Sequence, residues 1–223
     1  MKILALDSAT SACSAALWQD GRILAHRFAE MARGQSEVLV PMVAETMAEA
    51  GADFAGLDLL AVTVGPGAFT GIRIGLSTAR ALALAAGKPL AGIATAEAVA
   101  AAVPEAERAG RVVLVVLDSR REELWVQAFS AALEPLGEVA AMTPAQVGAL
   151  ALGPVVLAGD ARELVAPLLP DAVLASSPGA PDAAQVAALA ARRWADGTAL
   201  PPEPLYLRPP DVTLPPNGAT PKA

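Results

Sequence analysis

Short apolar runs, each closed by a polar residue or glycine, recur along the chain and predict alternating strands and helices. Residues 2–7 are continuously apolar from Ile3 to Leu6 and end at Asp7, as expected of a strand buried on both faces. Two further strands, from Cys13 to Trp18 and from Ile23 to Phe28, flank Gln19-Asp20-Gly21. Asp-Gly between two such runs is a hairpin signal, because glycine takes positive φ without steric cost. Ser36 and Glu37 open an amphipathic helix to about Ala50, with Leu39, Val43, Met47 and Ala50 on one stripe and Gly51 as its stop. Pro41 predicts either a kinked first turn or a start later than Ser36.

Leu59 to Val64 reads as a buried strand running into Gly65-Pro66-Gly67-Ala68-Phe69-Thr70-Gly71. A helix to about Ala86 follows, stopped by Gly87 and Pro89. Leu90 to Ala94 is the next strand, and Thr95 is placed to cap a short alanine-rich helix. The pattern then restarts. Val112 to Asp118 and Leu124 to Phe129 are strands, followed by a strand near Glu138–Met142 and a helix capped by Thr143-Pro144. A strand at Val155–Ala158, a helix from about Ala161 and a long helix from Asp182 to Asp196 complete the series. Leu4-Ala5-Leu6-Asp7-Ser8 and Val115-Val116-Leu117-Asp118-Ser119 lie half a chain apart, and each is followed by a Trp-bearing strand, at Trp18 and Trp125. Order, offset and following element together predict a duplicated α/β fold. The expected division is a first lobe over 1–105, a second over 106–210 and a loose proline-rich tail over 211–223.

Composition narrows the function classes. Of 223 residues, 54% are hydrophobic and 17% charged, which supports a packed core and opposes disorder. No run approaches the roughly 18–20 apolar residues of a membrane span. The apolar stretch after Lys2 is too short for a secretory signal, so a soluble, cytoplasmic protein is expected. The net charge of −7 and the scarcity of clustered basic residues disfavour autonomous binding to nucleic acid. Cys13 is the only cysteine and sits in an apolar strand, so it reads as a buried small hydrophobe. With His26 as the sole histidine, neither a two-histidine metal site nor a Ser-His-Asp triad with a spare base is available.

Two segments carry candidate chemistry. Asp7 and Asp118 end equivalent strands, where open α/β sheets place ligands. With Ser8 and Thr10 they could hold a magnesium nucleotide; alternatively they only cap nearby backbone N–H groups. The Gly65–Gly71 loop, with Thr70 as a helix cap, could receive an anion, although it lacks the Lys-Ser/Thr pair of a phosphate-binding P-loop. In the helix that follows, Gly71, Gly75 and Ala79 form a smooth face. It either admits a second helix from a partner or packs on its own sheet.

Several segments resemble the TsaB (YeaZ) family, which serves threonylcarbamoyladenosine synthesis in tRNA. These are Ile3-Leu4-Ala5-Leu6-Asp7-Ser8-Ala9-Thr10 with Cys13–Trp18, and Gly65-Pro66-Gly67-Ala68-Phe69-Thr70-Gly71-Ile72-Arg73-Ile74-Gly75. Leu117-Asp118-Ser119-Arg120, Glu123-Leu124-Trp125 and Pro204-Leu205-Tyr206-Leu207-Arg208 complete the set. The resemblance implies two ribonuclease-H-like lobes of the actin, sugar-kinase and Hsp70 type. It also implies a non-catalytic subunit that pairs with a catalytic TsaD-like paralogue, is joined by a TsaE-like ATPase, and meets tRNA only through the complex. The helices at 36–50 and 71–86 would supply the pairing surface, for homodimers too, with Leu39, Met42, Val43, Gly71, Arg73, Ile74, Gly75 and Thr78 in contact. No cofactor would be required, although ATP or ADP with magnesium could sit at the cleft of Asp7, Ser8, Thr10 and Asp118, or at the partner interface. Gln35 stands where many members have histidine, and it cannot titrate near neutral pH. Gly159-Asp160 is the one candidate for adenine-side contacts.

Two other functions fit parts of the pattern. A small-molecule kinase of the same superfold is favoured by the duplicated Asp-Ser strands and opposed by chain length and the missing adenosine loop. A glycoprotease-like metallopeptidase is opposed by the absence of a histidine pair.

Overall fold

The computed structural model describes residues 1–207. Arg208 and the proline-rich segment 211–223 lie outside the described residues. The first half contains β1 (Lys2–Asp7), β2 (Ala12–Gln19), β3 (Arg22–Glu30), α1 (Gln35–Glu49), β4 (Leu59–Gly65), α2 (Phe69–Ala86) and β5 (Leu90–Ala94). Next come α3 (Thr95–Ala101) and α4 (Glu105–Arg108). The second half adds β6 (Val112–Leu117), β7 (Leu124–Phe129), β8 (Ala140–Met142), α5 (Pro144–Gly148), β9 (Val155–Ala158), α6 (Arg162–Val165), β10 (Val173–Leu174) and α7 (Ala183–Ala195).

The first sheet is ordered β3-β2-β1-β4-β5 and the second β8-β7-β6-β9-β10. In each, the hairpin-linked strands pair antiparallel and the last two run parallel to the central strand. The two halves therefore repeat one ribonuclease-H-like topology, as the matched Asp-Ser strands predict. The β2–β3 hairpin closes on Asp20 and Gly21, both with positive φ, the two-residue turn that matches strand twist.

The first sheet is covered on one side by α1 and α2, with Leu4, Leu6, Leu39, Val43, Val62 and Leu76 in a single core. Its other side is covered by α7, which buries Ala183, Val186, Ala187 and Ala190 on Ile3, Ala5, Leu59 and Ala61. Helix α3 packs in turn with the second sheet through Ala96, Val99 and Ala100. The expected boundary near residue 105 thus separates the two sheets but not their helices. The division at 106–210 is corrected, because α7 supplies the apolar cover that the first sheet lacks.

Three local expectations also change. Pro41 does not delay α1; the helix runs from Gln35 to Glu49 and carries Pro41 on its exposed face. There the carbonyl of the exposed Glu37, left without its helical donor, stays near solvent. Thr70 and Thr95 do not cap their helices. Extended residues Ala68 and Ala94 take the cap positions without a side-chain bond, which leaves each Thr in the first helical turn. Thr143 caps α5 as expected, in a reciprocal box with Gln146.

Candidate functional site

Asp7 ends β1 completely buried. Its Oδ1 accepts from Ala9 N at 3.1 Å and from Thr63 Oγ1, while Oδ2 has no hydrogen-bond partner among the described residues. Burial pushes the carboxyl up to about 7; the Thr63 and Ala9 hydrogen bonds oppose that shift and the charge of Asp182 adds to it. Ser8 donates through Oγ to Gly71 O at 2.8 Å, and Thr10 is buried with its hydroxyl unpartnered.

The start of α2 shuts this turn in. Ala68 N donates to Ala9 O at 2.7 Å, and a Cβ at Gly67 or Gly71 would collide with the carbonyls of Ala9 and Ser8. A Cβ at Gly75 would lie 2.9 Å from Ser8 Oγ. The small residues therefore serve close approach of α2 to its own β1–β2 turn. Of the two readings of the smooth face, internal packing is the one observed.

Asp118 is placed differently. It is half-buried, and its N–H donates to Asp160 Oδ1 at 2.9 Å. The Arg120 guanidinium lies 3.2 Å from Asp118 Oδ2 and donates to Ser11 Oγ at 2.7 Å, bridging the two halves. Between the halves lies a cleft of about 490 Å³, lined by Ser11, Glu30, Met31, Gly159, Asp160, Arg162, Glu163 and others. The expectation that Asp7, Ser8, Thr10 and Asp118 face one another across an open site is corrected. Asp7, Ser8 and Thr10 are buried, Ser8 directly beneath α2, and Asp118 is engaged by an arginine. The cleft carries three carboxylates, Glu30, Asp160 and Glu163, and one arginine, Arg162, whose Nη1 donates to Ser177 O. Among the described residues no group of three His, Cys, Asp or Glu side chains could hold a metal ion.

The expected partner surface divides in two. Leu39, Met42, Val43, Gly71 and Gly75 are buried in the core of the first lobe and are not available to a partner, a correction of the sequence expectation. Arg73, Ile74 and Thr78 remain accessible. With Ser36, Phe69, Thr70 and Ser77 they line a shallow groove of about 470 Å³. Val40 is 53% exposed and Phe69 51%. Nothing in the sequence pattern singles out Val40, and Phe69 and Tyr206 stand out only as members of the motif segments. The signal for Phe69 was an aromatic residue at a helix start, where the apolar stripe has no use for it.

The segment 200–207 reaches the same place. Leu200 pairs with Gly92, Leu205 N donates to Val64 O at 2.8 Å, and Arg80 on α2 donates to Pro202 O. Tyr206 then stacks on Phe69 with ring centroids 5.6 Å apart. Elsewhere His26 Nε2 meets Asp182 Oδ1 at 2.8 Å, and this hydrogen bond raises the histidine above its ordinary value. Gln35 donates to the carbonyls of Thr10 and Met31, a positioning role that needs no titration.

Comparison with known proteins points one way. The family model for TsaD, the tRNA N6-adenosine threonylcarbamoyltransferase, matches residues 23–153. A tRNA threonylcarbamoyladenosine biosynthesis protein TsaB of Escherichia coli is 40% identical over 125 residues, 56% of this chain and 53% of that protein. The match therefore spans about half the length of that relative. An uncharacterised protein of Mycobacterium tuberculosis is 34% identical over 215 residues, covering 94% of this chain and 93% of its own. The solved structure of YeaZ from Pseudomonas aeruginosa superposes with a TM-score of 0.76 at 28% identity, over 92% of this chain and 99% of that one. No helix among the described residues is long and apolar enough to cross a membrane.

Proposed function

The chain belongs to the TsaB (YeaZ) family of tRNA threonylcarbamoyladenosine biosynthesis proteins, and from that membership we propose that it works by docking. It is a non-catalytic subunit that holds a TsaD-like paralogue in working geometry for threonylcarbamoyl transfer to tRNA. A TsaE-like ATPase joins the pair, and tRNA is met through the assembly, in the cytoplasm.

The observation that carries this reading is the contrast between two regions of the first lobe. The Asp7 turn, where the superfold would do chemistry, is closed by α2, with Ser8 spent on Gly71 O. The opposite surface of α1 and α2 instead presents Val40, Phe69 and Arg73 to solvent. Exposed apolar and aromatic side chains around an arginine are the composition of a binding surface, not of a solvated helix face.

The test is co-expression with the TsaD-type protein of the same organism. Val40→Asp places a charge on the half-exposed α1 side of this surface without entering the core. It should abolish co-purification while leaving the melting temperature of the isolated chain unchanged. Co-purification at the wild-type level would defeat the docking reading. So would threonylcarbamoyl transfer by this chain alone at a rate typical of enzymes.

A further inference from the structure

We propose that the docking face is built jointly by α2 and the strap 200–207, and that it selects a partner presenting a carboxylate to Arg73. This rests on the docking reading above and names the chemistry of its partner.

Arg73 is held from two sides. Its guanidinium carbon lies 3.7 Å from the centroid of the Phe69 ring, and its Nε donates to Tyr206 Oη at 2.9 Å. Planar contact on an aromatic face and one fixed N–H leave the guanidinium with little freedom to lose on binding. The two Nη groups have no hydrogen bond or ion pair among the described residues. Among those residues nothing competes for the bidentate pairing in which arginine and carboxylate match.

The strap is what makes this arrangement possible. Tyr206 belongs to no helix or strand of the lobe. It reaches α2 because Leu205 N is tied to Val64 O and Pro202 O is tied to Arg80, two turns of α2 beyond Arg73. The strap thus turns a mobile surface arginine into an oriented donor.

Charge decides the kind of occupant. The chain carries −7 overall, yet α2 holds two arginines and no acid, and the groove lining contains no carboxylate among the described residues. Arg80 is committed to the strap, so Arg73 is the ionised group left on this surface of α2. A second copy of the chain would offer the same lining across a two-fold axis, and that lining holds no acid among the described residues to pair with Arg73. A partner with an acid flanked by apolar groups satisfies Arg73 and covers Phe69 together.

The experiment is calorimetric titration of the full chain into the TsaD-type protein of the same organism at two salt concentrations. Arg73→Ala should weaken binding by about tenfold or more, the range of a buried arginine hot spot. Arg73→Lys should lose nearly as much, because a point charge cannot replace the planar fork. Tyr206→Phe keeps the stacked ring and removes the Nε acceptor; it should weaken binding by about threefold, a fraction of one exposed charge-assisted hydrogen bond. Added salt should weaken the wild type more than Arg73→Ala. If Val40→Asp abolishes binding while Arg73→Ala binds like wild type with the same salt response, the carboxylate inference falls and the docking reading survives. If Val40→Asp also binds normally, the docking reading falls. Self-association of the chain through this face that is tighter than the titrated complex would overturn the inference as well.

Discussion

At Asp7 the carboxyl is enclosed on every side, with hydrogen bonds from Thr63 and Ala9 to one oxygen and none to the other among the described residues. The unfolded chain ionises this group near its ordinary 3.8, whereas the folded protein keeps the proton until about 7. Between those values the native state binds more protons than the unfolded state, so stability falls as pH rises through the window and stays low above it. Asp7→Asn keeps the shape and removes the charge. Urea unfolding at pH 5 and pH 8 should show the wild type losing on the order of 2–4 kcal/mol relative to Asp7→Asn. An equal response of the two proteins to pH would show that Asp7 is ionised in the fold. That Asp7 ends a buried strand was legible from the apolar run before it. That the turn after it is closed over was not, because the closing contacts on Ser8 and Ala9 come from Gly71 and Gly67, some sixty positions away. Cys13 was legible from its neighbours alone: the apolar strand around it buries the thiol and pushes it to about 12. His26 was not, since its partner Asp182 lies in the other half of the chain.

The same remoteness governs the helices. Their existence and limits follow from apolar stripes and stop signals, and α2 ends at Gly87 in the left-handed conformation that glycine favours. What a stripe faces is not encoded in its period. Gly71 and Gly75 read equally well as a seat for a foreign helix or for the chain's own backbone, and only the carbonyl of Ser8 against Gly71 decides between them. The Thr70 cap failed for a related reason. The bond from Ala68 N to Ala9 O fixes the chain before Thr70, so backbone pairing across the lobe sets the first turn. Gly71→Ala should therefore cost stability rather than partner binding. Overpacking against a strand-end carbonyl is worth about 1–3 kcal/mol, seen as a lower urea midpoint with an unchanged slope. Gly75→Leu, with a larger side chain aimed at Ser8 Oγ, should do more damage in the same direction. A variant Gly71→Ala of full stability that had lost its partner would return the glycine face to the interface.

Across the whole molecule the duplication was visible as two Asp-Ser strands followed by Trp-bearing strands, and the two sheets repeat one order. The exchange of helices between the halves was not visible, because α3 and α7 carry similar alanine-rich stripes that fit either sheet. Once α7 covers Ile3, Ala5, Leu59 and Ala61, the first lobe has no complete core without residues 183–195. Helix α3 ties into the second sheet, and Glu97 on α3 accepts from Arg193 on α7 at 2.9 Å, so the exchanged helices also hold each other. Two-lobed proteins commonly unfold in steps, one domain after the other. Here neither lobe can keep its apolar cover once its counterpart opens, and a single transition is expected. The three tryptophans report on separate places. Trp18 is packed on the first lobe's core, Trp125 lies in the second, and Trp194 is on α7. Variants that retain one tryptophan each, with phenylalanine at the other two positions, should give urea midpoints that coincide with one another and with the loss of helical circular dichroism. A Trp125 transition well separated from that of Trp18 would mean that the lobes stand alone and that the crossing helices contribute little to holding them together.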